Sequence, residues 1–408
     1  MDTGAEKQRR LLMISLDAVS SDDMQILQEF PNFSALCERG TLVRNVDSVM
    51  VSNTYPAHTS IITGVHPHKH GIIDNLFHSS KQKKVSWRYH VRDIQVPTLY
   101  EKASEQGMKV CSILYPVTGG ANILYNFPEI AGDMHMFERL WKLFTTGSTR
   151  FLLANLVRFC RHFKGMQQPE LDDFTTLLAA DAWKRYHPEL LLLHLIDVDS
   201  QKHHYGPAHE QAREAIKRHD IRLGKLIDVL RESNTYDQTG IIVFSDHGCR
   251  PVHTAVEPNE FLSENQYSTL ASFHNAGGTT YLRVEDGSVA QIADQLITEF
   301  LHQPYISRKL TEAEMYISGM DGEYIAGFEA AEGYCFGDSY KGQHGYGVDH
   351  GGDSPFYLAV GAGIEQGKEL TGGCIVDICP LAADMLGIGK WQMDGINRVH
   401  LKSERDSV

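Results

Sequence analysis

Two short stretches of the chain pair an acid with an imidazole at spacings that suit metal chelation. In Asp199-x-x-x-His203 an acid and an imidazole lie close enough to bind one zinc ion together, with a distant histidine completing the shell. Asp246 and His247 are adjacent, and on a loop neighbouring side chains can turn toward one ion. Two divalent ions about 4 Å apart form a clamp for in-line phosphoryl transfer, one activating a hydroxyl and the other holding an oxygen of the phosphate or leaving group. Thr54 is the hydroxyl that fits this role. The plainer reading is that His203, His204 and His247 are satisfied by ordinary hydrogen bonds, since 21 histidines produce some acid–imidazole pairs by chance. Spacing alone does not separate phosphate from peptide substrates. His66, His68 and His70 alternate in VHPHKHG, which reads as a metal site or as a turn around Pro67.

Thr54 opens the stretch TYPAHTSIITG. Pro56 suits a first helical turn, where its missing N–H is not needed, and Thr59 to Thr63 reads as a short helix closed by Gly64. Thr54 then sits beside a helix N-terminus, where free N–H groups favour an anion such as phosphate. A simple N-cap or loop hydroxyl is the alternative.

The elements that must carry these side chains read as buried parallel strands. Leu11 to Leu16 ends before Asp17, Leu190 to Ile196 before the loop DVDSQKHHYGP, and Gly240 to Ser245 before Asp246 and His247. Lys109 to Leu114 leads into Tyr115 and Pro116. Apolar runs of this kind suit strands covered on both faces, with sites at their carboxyl ends. Helical periodicity between them, over 22–39 with a break at Pro31, 172–186, 209–231 and 375–386, gives βαβ logic and an α/β fold. About 134–168 reads as a helical insertion, a lid or a dimer contact. About 250–350 reads as a looped, cap-like region in which Thr279 to Val284 suits a short strand, Val289 to Phe300 a helix and Leu310 to Tyr340 a meander, with Asp338 to Asp353 a Gly-rich loop holding His344. Residues 1–408 are expected to form one catalytic domain.

With 38 Lys and Arg against 52 Asp and Glu, the net charge is −14, which argues against a stable nucleic-acid complex. Bound divalent metals would still admit a small anionic substrate by inverting the local field. No signal peptide and no membrane span are read, and seven scattered cysteines without a CxxC point to the cytoplasm and away from a membrane partner. A homodimer is left open.

The pieces LDAV at Leu16, NTYPAHTSIITGVHPHKHGIIDN at Asn53, DVDSQKHHYGP at Asp197, SDHG at Ser245 and GQHGYG at Gly342 occur in that order. Together they resemble the nucleotide pyrophosphatase/phosphodiesterase branch of the alkaline phosphatase superfamily, from about Leu11 to Leu386. The resemblance implies an alkaline-phosphatase-like, mostly parallel central sheet flanked by helices on both faces, and two zinc ions, with manganese the alternative. It implies Thr54 as a nucleophile that forms a phospho-threonine intermediate on a nucleotide-like phosphodiester or pyrophosphate. Asp17, Thr54, Asp246 and His247 match one metal's ligands, and Asp199, His203 and His344 the other's. Tyr55 matches a base-stacking aromatic and Asn75 an amide that holds a phosphate oxygen. Tyr115 and Pro116 match a pocket loop loosely. Ala57 departs from the asparagine that many members carry, leaving room for a phosphomonoesterase or phosphonate hydrolase. An inactive binding protein of the same fold is the reading from another class; it would have to retain costly buried acids without a metal.

Overall fold

The computed structural model describes residues 9–79, 82–284, 290–348 and 354–399; the last part of the Asp338–Asp353 loop lies outside them. Its main sheet has eight strands. In spatial order they are Lys368–Thr371, Gly40–Arg44, Tyr357–Val360, Thr239–Phe244, Arg10–Leu16, Leu190–Leu195, Val110–Ile113 and Tyr125–Phe127. From Thr239–Phe244 to Tyr125–Phe127 every pairing is parallel. Tyr357–Val360 runs antiparallel to both its neighbours, so the sheet is mixed but mostly parallel.

Alternation along the strands fixes what each face buries. Leu12, Ile14 and Leu16 pack with Leu178 and Trp183 of helix Glu170–Tyr186 and with Leu223 and Leu230 of helix Glu210–Glu232. Leu11 and Met13 point the other way, toward Ile61, Leu99 and Leu381 on helices Thr54–Thr63, Leu99–Glu105 and Ile378–Leu386. Each fully buried leucine contributes about 1.5–3 kcal/mol. Leu190–Leu195 is buried along its whole length, as a strand with helices on both sides must be. Pro31 starts a second helix, Pro31–Arg39, after Met24–Gln28, and Pro380 is tolerated in the first turn of Ile378–Leu386.

Three segments differ from the sequence reading. DVDSQKHHY is not a loop but helix Asp197–Tyr205, with acids in its first turn and Lys202 in its last complementing the helix dipole. The helix expected from Thr59 begins at Thr54. The region 250–350 is largely regular. It holds a four-stranded sheet of Ala271–Ala276, Thr279–Val284, Ala326–Ala330 and Ile306–Lys309, and a three-stranded one around Arg250–Val256. Helix Glu312–Ser318 falls within the supposed meander, held by a Thr311/Glu314 capping box. Glycines and acids there mark turns between short elements. Met50 and Val51 pack with Ala276, Tyr281 and Met315, which fastens this region next to Thr54.

Candidate metal centre beside Thr54

The three central strands end at one edge, and each delivers an acid to it. Asp17 directly follows Leu16, and its N–H donates to Leu195 O at 2.9 Å. Ala18 then adopts φ 59°, a left-handed conformation that costs a non-glycine residue of order 1 kcal/mol and turns the chain sharply behind Asp17. Its N–H donates to Asp246 Oδ1 at 3.3 Å. Asp199 and His203 lie one helical turn apart on Asp197–Tyr205, so both reach the same side of that helix. Thr54 is the first residue of its helix, buried, with Oγ1 3.3 Å from His247 Nε2.

Two groups of ligating side chains result. Asp17, Asp246 and His247 form one, and Asp199, His203 and His344 the other; within each group the candidate atoms lie within 4.8 Å of one another. The groups adjoin, because the rings of His247 and His344 stack at 4.0 Å. Whether a cation fits is decided by the unmatched atoms. Asp17 Oδ1, Asp199 Oδ1 and Asp246 Oδ2 are buried and accept no well-formed hydrogen bond; what stands near them are imidazole nitrogens, His203 Nε2 at 3.2 Å from Asp199, and His247 Nε2 at 3.2 Å from Asp246 and 3.5 Å from Asp17. A buried carboxylate oxygen left this way is costly, and three of them within two adjoining groups of ligating side chains suit divalent cations.

The imidazoles agree. His203 Nδ1–H donates to Gly342 O at 2.8 Å, and His247 Nδ1–H to Gly248 O at 3.0 Å. For His344 the tautomer follows from a chain of partners. Asp74 Oδ1 can only accept, so Asn53 Nδ2 donates to it at 2.7 Å; Asn53 Oδ1 then accepts the His344 Nδ1–H at 2.8 Å. All three rings therefore direct Nε2 rather than Nδ1 toward the carboxylates, the arrangement of metal-binding histidines held by outer partners; burial disfavours a charged His203, but Asp199 at 3.2 Å outweighs it and raises that imidazole. Burial, with His247 and His203 nearby, keeps His344 well below the usual histidine range and so neutral. Burial and the charges of Asp246, Asp199 and Glu129 push the Asp17 carboxyl well up. Burial also acts to raise Asp199, but His203 above all outweighs it and brings Asp199 to about 2. Gly345, at φ +84°, must be glycine, since a Cβ would lie 2.1 Å from Ala276 O and 2.8 Å from Asn53 Oδ1.

The family profile of Type I phosphodiesterase / nucleotide pyrophosphatase matches residues 11–339. The chain belongs to this family. Among curated relatives it is 28% identical over 246 residues to human ectonucleotide pyrophosphatase/phosphodiesterase family member 1, covering 58% of this chain and 23% of the relative. It is 24% identical to rat family member 7, covering 69% and 56%, and 22% identical to bovine family member 3, covering 93% and 42%. The chain thus spans from under a quarter to just over half of these relatives. Among solved structures, murine ectonucleotide pyrophosphatase/phosphodiesterase 5, inactive and in complex with AMP, superposes with TM-score 0.73 at 18% identity, covering 95% of this chain and 97% of that one. The human counterpart gives TM-score 0.71 at 19% identity, with the same coverage. The α/β, alkaline-phosphatase-like fold expected from the sequence is thereby established. The cytoplasmic placement is overturned, because these phosphodiesterase relatives are by name ecto-enzymes. Seven free thiols, four of them buried, do not fix a compartment. No helix among the described residues is long and apolar enough to cross a membrane.

The side chains that family resemblance assigns to substrate divide. Asn75 is half-buried beside the start of the Thr54 helix, where its Oδ1 accepts the Tyr55 N–H at 2.8 Å and leaves its amide N–H groups as donors. Tyr55, Tyr115 and Pro116 are instead buried. The Tyr55 ring meets Trp87 edge-on at 5.1 Å, and the Tyr115 hydroxyl donates to His58 O at 3.1 Å. None of the three faces open solvent; Tyr55 packs with Ile72 and Val117, and Tyr115 lies in the core beside Ile61 and Leu99. His66, His68 and His70 do not converge; His70 is a core residue bonded to Ser60 Oγ at 2.8 Å.

Several residues at the site escaped the sequence reading. His194 Nε2 lies 3.0 Å from Asp17 Oδ2, and His58 Nδ1–H donates to Thr54 O at 2.8 Å while lying 3.3 Å from Asp246 Oδ2. His194 had a signal, being the one polar residue in the strand LLLLHL.

Proposed function

We propose that the protein is a metal-dependent hydrolase of phosphodiester or pyrophosphate bonds in nucleotide-like substrates, reacting through a phospho-threonine at Thr54. The observation that carries this is the set of unmatched carboxylate oxygens of Asp17, Asp199 and Asp246, facing three Nε2 atoms beside a hydroxyl at a helix N-terminus. Asp17, Thr54, Asp246 and His247 would hold one ion, and Asp199, His203 and His344 the other. Mixed carboxylate and imidazole ligands suit zinc, with manganese the alternative. Such ions supply charge that favours the ionised threonine hydroxyl and the departing oxygen.

The residues of the chain divide the remaining work. Thr54 Oγ1 bonds to phosphorus as the bond to the leaving oxygen breaks, and water later releases the phosphoryl group. Asn75 Nδ2 donates to a non-bridging oxygen, and the helix N-terminus favours its negative charge. The names of the relatives, and AMP bound to a similar structure, support a nucleotide-like substrate. The test is Thr54→Ala, assayed on paired aryl diester and monoester phosphates with metal content measured in parallel. Loss of turnover with metal retained is expected. Turnover at the unaltered rate would exclude Thr54 as nucleophile, and a strong monoester preference would exclude the diesterase reading.

A further inference from the structure

We propose that the helical pair Met136–Thr146 and Thr149–Phe159 docks the protein on an anionic lipid surface. Met136–Thr146 buries none of its residues, although Phe137 is 81% exposed and Trp141 65% exposed beside Leu140 on the same side of the helix. Thr149–Phe159 is apolar on both sides. Phe151, Leu152 and Phe159 face the core, while Leu153, Leu156 and Val157 face out, Val157 at 82% exposure. So many large apolar side chains left exposed on two consecutive helices mark an interaction site.

Charge selects the occupant. Residues 134–168 carry six Lys or Arg and one acid, in a chain whose net charge is −14. Arg150, Arg161 and Lys164 are exposed and have no acidic partner among the described residues. Large apolar side chains rimmed by Lys and Arg are the pattern of helices that lie in the headgroup layer of an anionic membrane. A second copy suits the face less, since a two-fold contact sets each basic rim against its own image. The absence of a spanning helix, from which the sequence reading excluded a membrane, does not bear on a helix lying flat. The pair follows strand Tyr125–Phe127, at the same sheet edge as Asp17, and Glu129 in the connecting loop lies 3.8 Å from His194 Nδ1. Docking would therefore bring the recess near the lipid.

The experiment is co-sedimentation with phosphatidylcholine vesicles, with and without phosphatidylglycerol, at low and high salt. Three proteins are compared: wild type, Phe137→Asp/Val157→Asp, and Arg150→Glu/Arg161→Glu/Lys164→Glu. All three should hydrolyse a soluble aryl diester alike, which checks folding. Wild type should bind only the phosphatidylglycerol vesicles, with a blue shift of Trp141 emission, and each variant should bind at least tenfold less. No binding by wild type, or binding unchanged in both variants, overturns the proposal. So does a wild-type dimer that the Phe137/Val157 variant converts to monomer, which would assign the face to a second copy.

Discussion

Asp74 Oδ2 and His274 Nε2 stand 2.7 Å apart in the interior, joining positions 200 residues apart in the chain. The other oxygen of Asp74 holds Asn53, and Asn53 holds His344, so one carboxylate sets the tautomer of a candidate ligand two bonds away. Tyr324 extends the line, its hydroxyl 3.1 Å from His274 Nδ1.

Asp74→Asn lets Asn53 turn over and removes the reason for His344 to present Nε2. Metal affinity should fall by roughly 10–100-fold, as for other outer-shell partners of metal-binding histidines. Competition with a chelator measures it. Activity recovered at saturating metal would distinguish this positioning role from a direct part in the chemistry. Equal affinity in variant and wild type would remove the role.

Asn75→Ala deletes the amide proposed as a donor to a phosphate oxygen while leaving the candidate metal ligands in place. Turnover of an aryl diester should drop by about 10²–10³-fold, the usual effect of losing one oxyanion donor. Bound metal per chain should not change. A variant turning over as fast as wild type would show that the amide touches no developing charge.

Asp17→Asn should shift stability in opposite directions with and without metal. Without cations the substitution relieves burial and the repulsion from Asp246 and Asp199 that raise the Asp17 pKa, so the chelator-treated variant should melt above chelator-treated wild type. With metal the order should reverse, because a ligand that binds only the folded state stabilises it. Thermal melts in matched buffers decide the point; one order in both conditions would contradict a metal site here.

Glu314 accepts hydrogen bonds from Arg308 at 2.7 and 2.9 Å, and these, more than its Thr311 partners, bring its carboxyl down to about 2 from an ordinary 4.5. A lowered acid stabilises the fold fully above its unfolded value and loses that contribution as pH falls toward the folded one. Urea midpoints should therefore decline between pH 5 and about 2, and Glu314→Gln should flatten part of that slope. Parallel curves for the two proteins would mean the pair is screened by solvent.

Much of the site could be read from the sequence because its acids stand where apolar strands stop. Asp17 and Asp246 each interrupt a run of buried residues, and that contrast needs no partner to be seen. Asn53, Asp74 and His274 offered no such contrast. They are ordinary polar residues whose role exists only through contacts made 21 to more than 200 positions away. Within 250–350 the strand at Thr279–Val284 and the helix after it were legible, but the other elements were not, for a related reason. Those strands are two to seven residues long, and frequent glycines between them imitate an irregular loop. Tyr55 and Tyr115 look alike in sequence whether they face a ligand or a core; in the structure both are buried.

Asp17 belongs to the first strand and His344 to one of the last loops, more than 300 residues later. The first candidate group, Asp17, Asp246 and His247, has emerged from the ribosome well before His344, whereas the group of Asp199, His203 and His344 is completed only late in synthesis. A truncated chain that stopped short of Gly342 would keep every member of the first group yet lack one imidazole of the second.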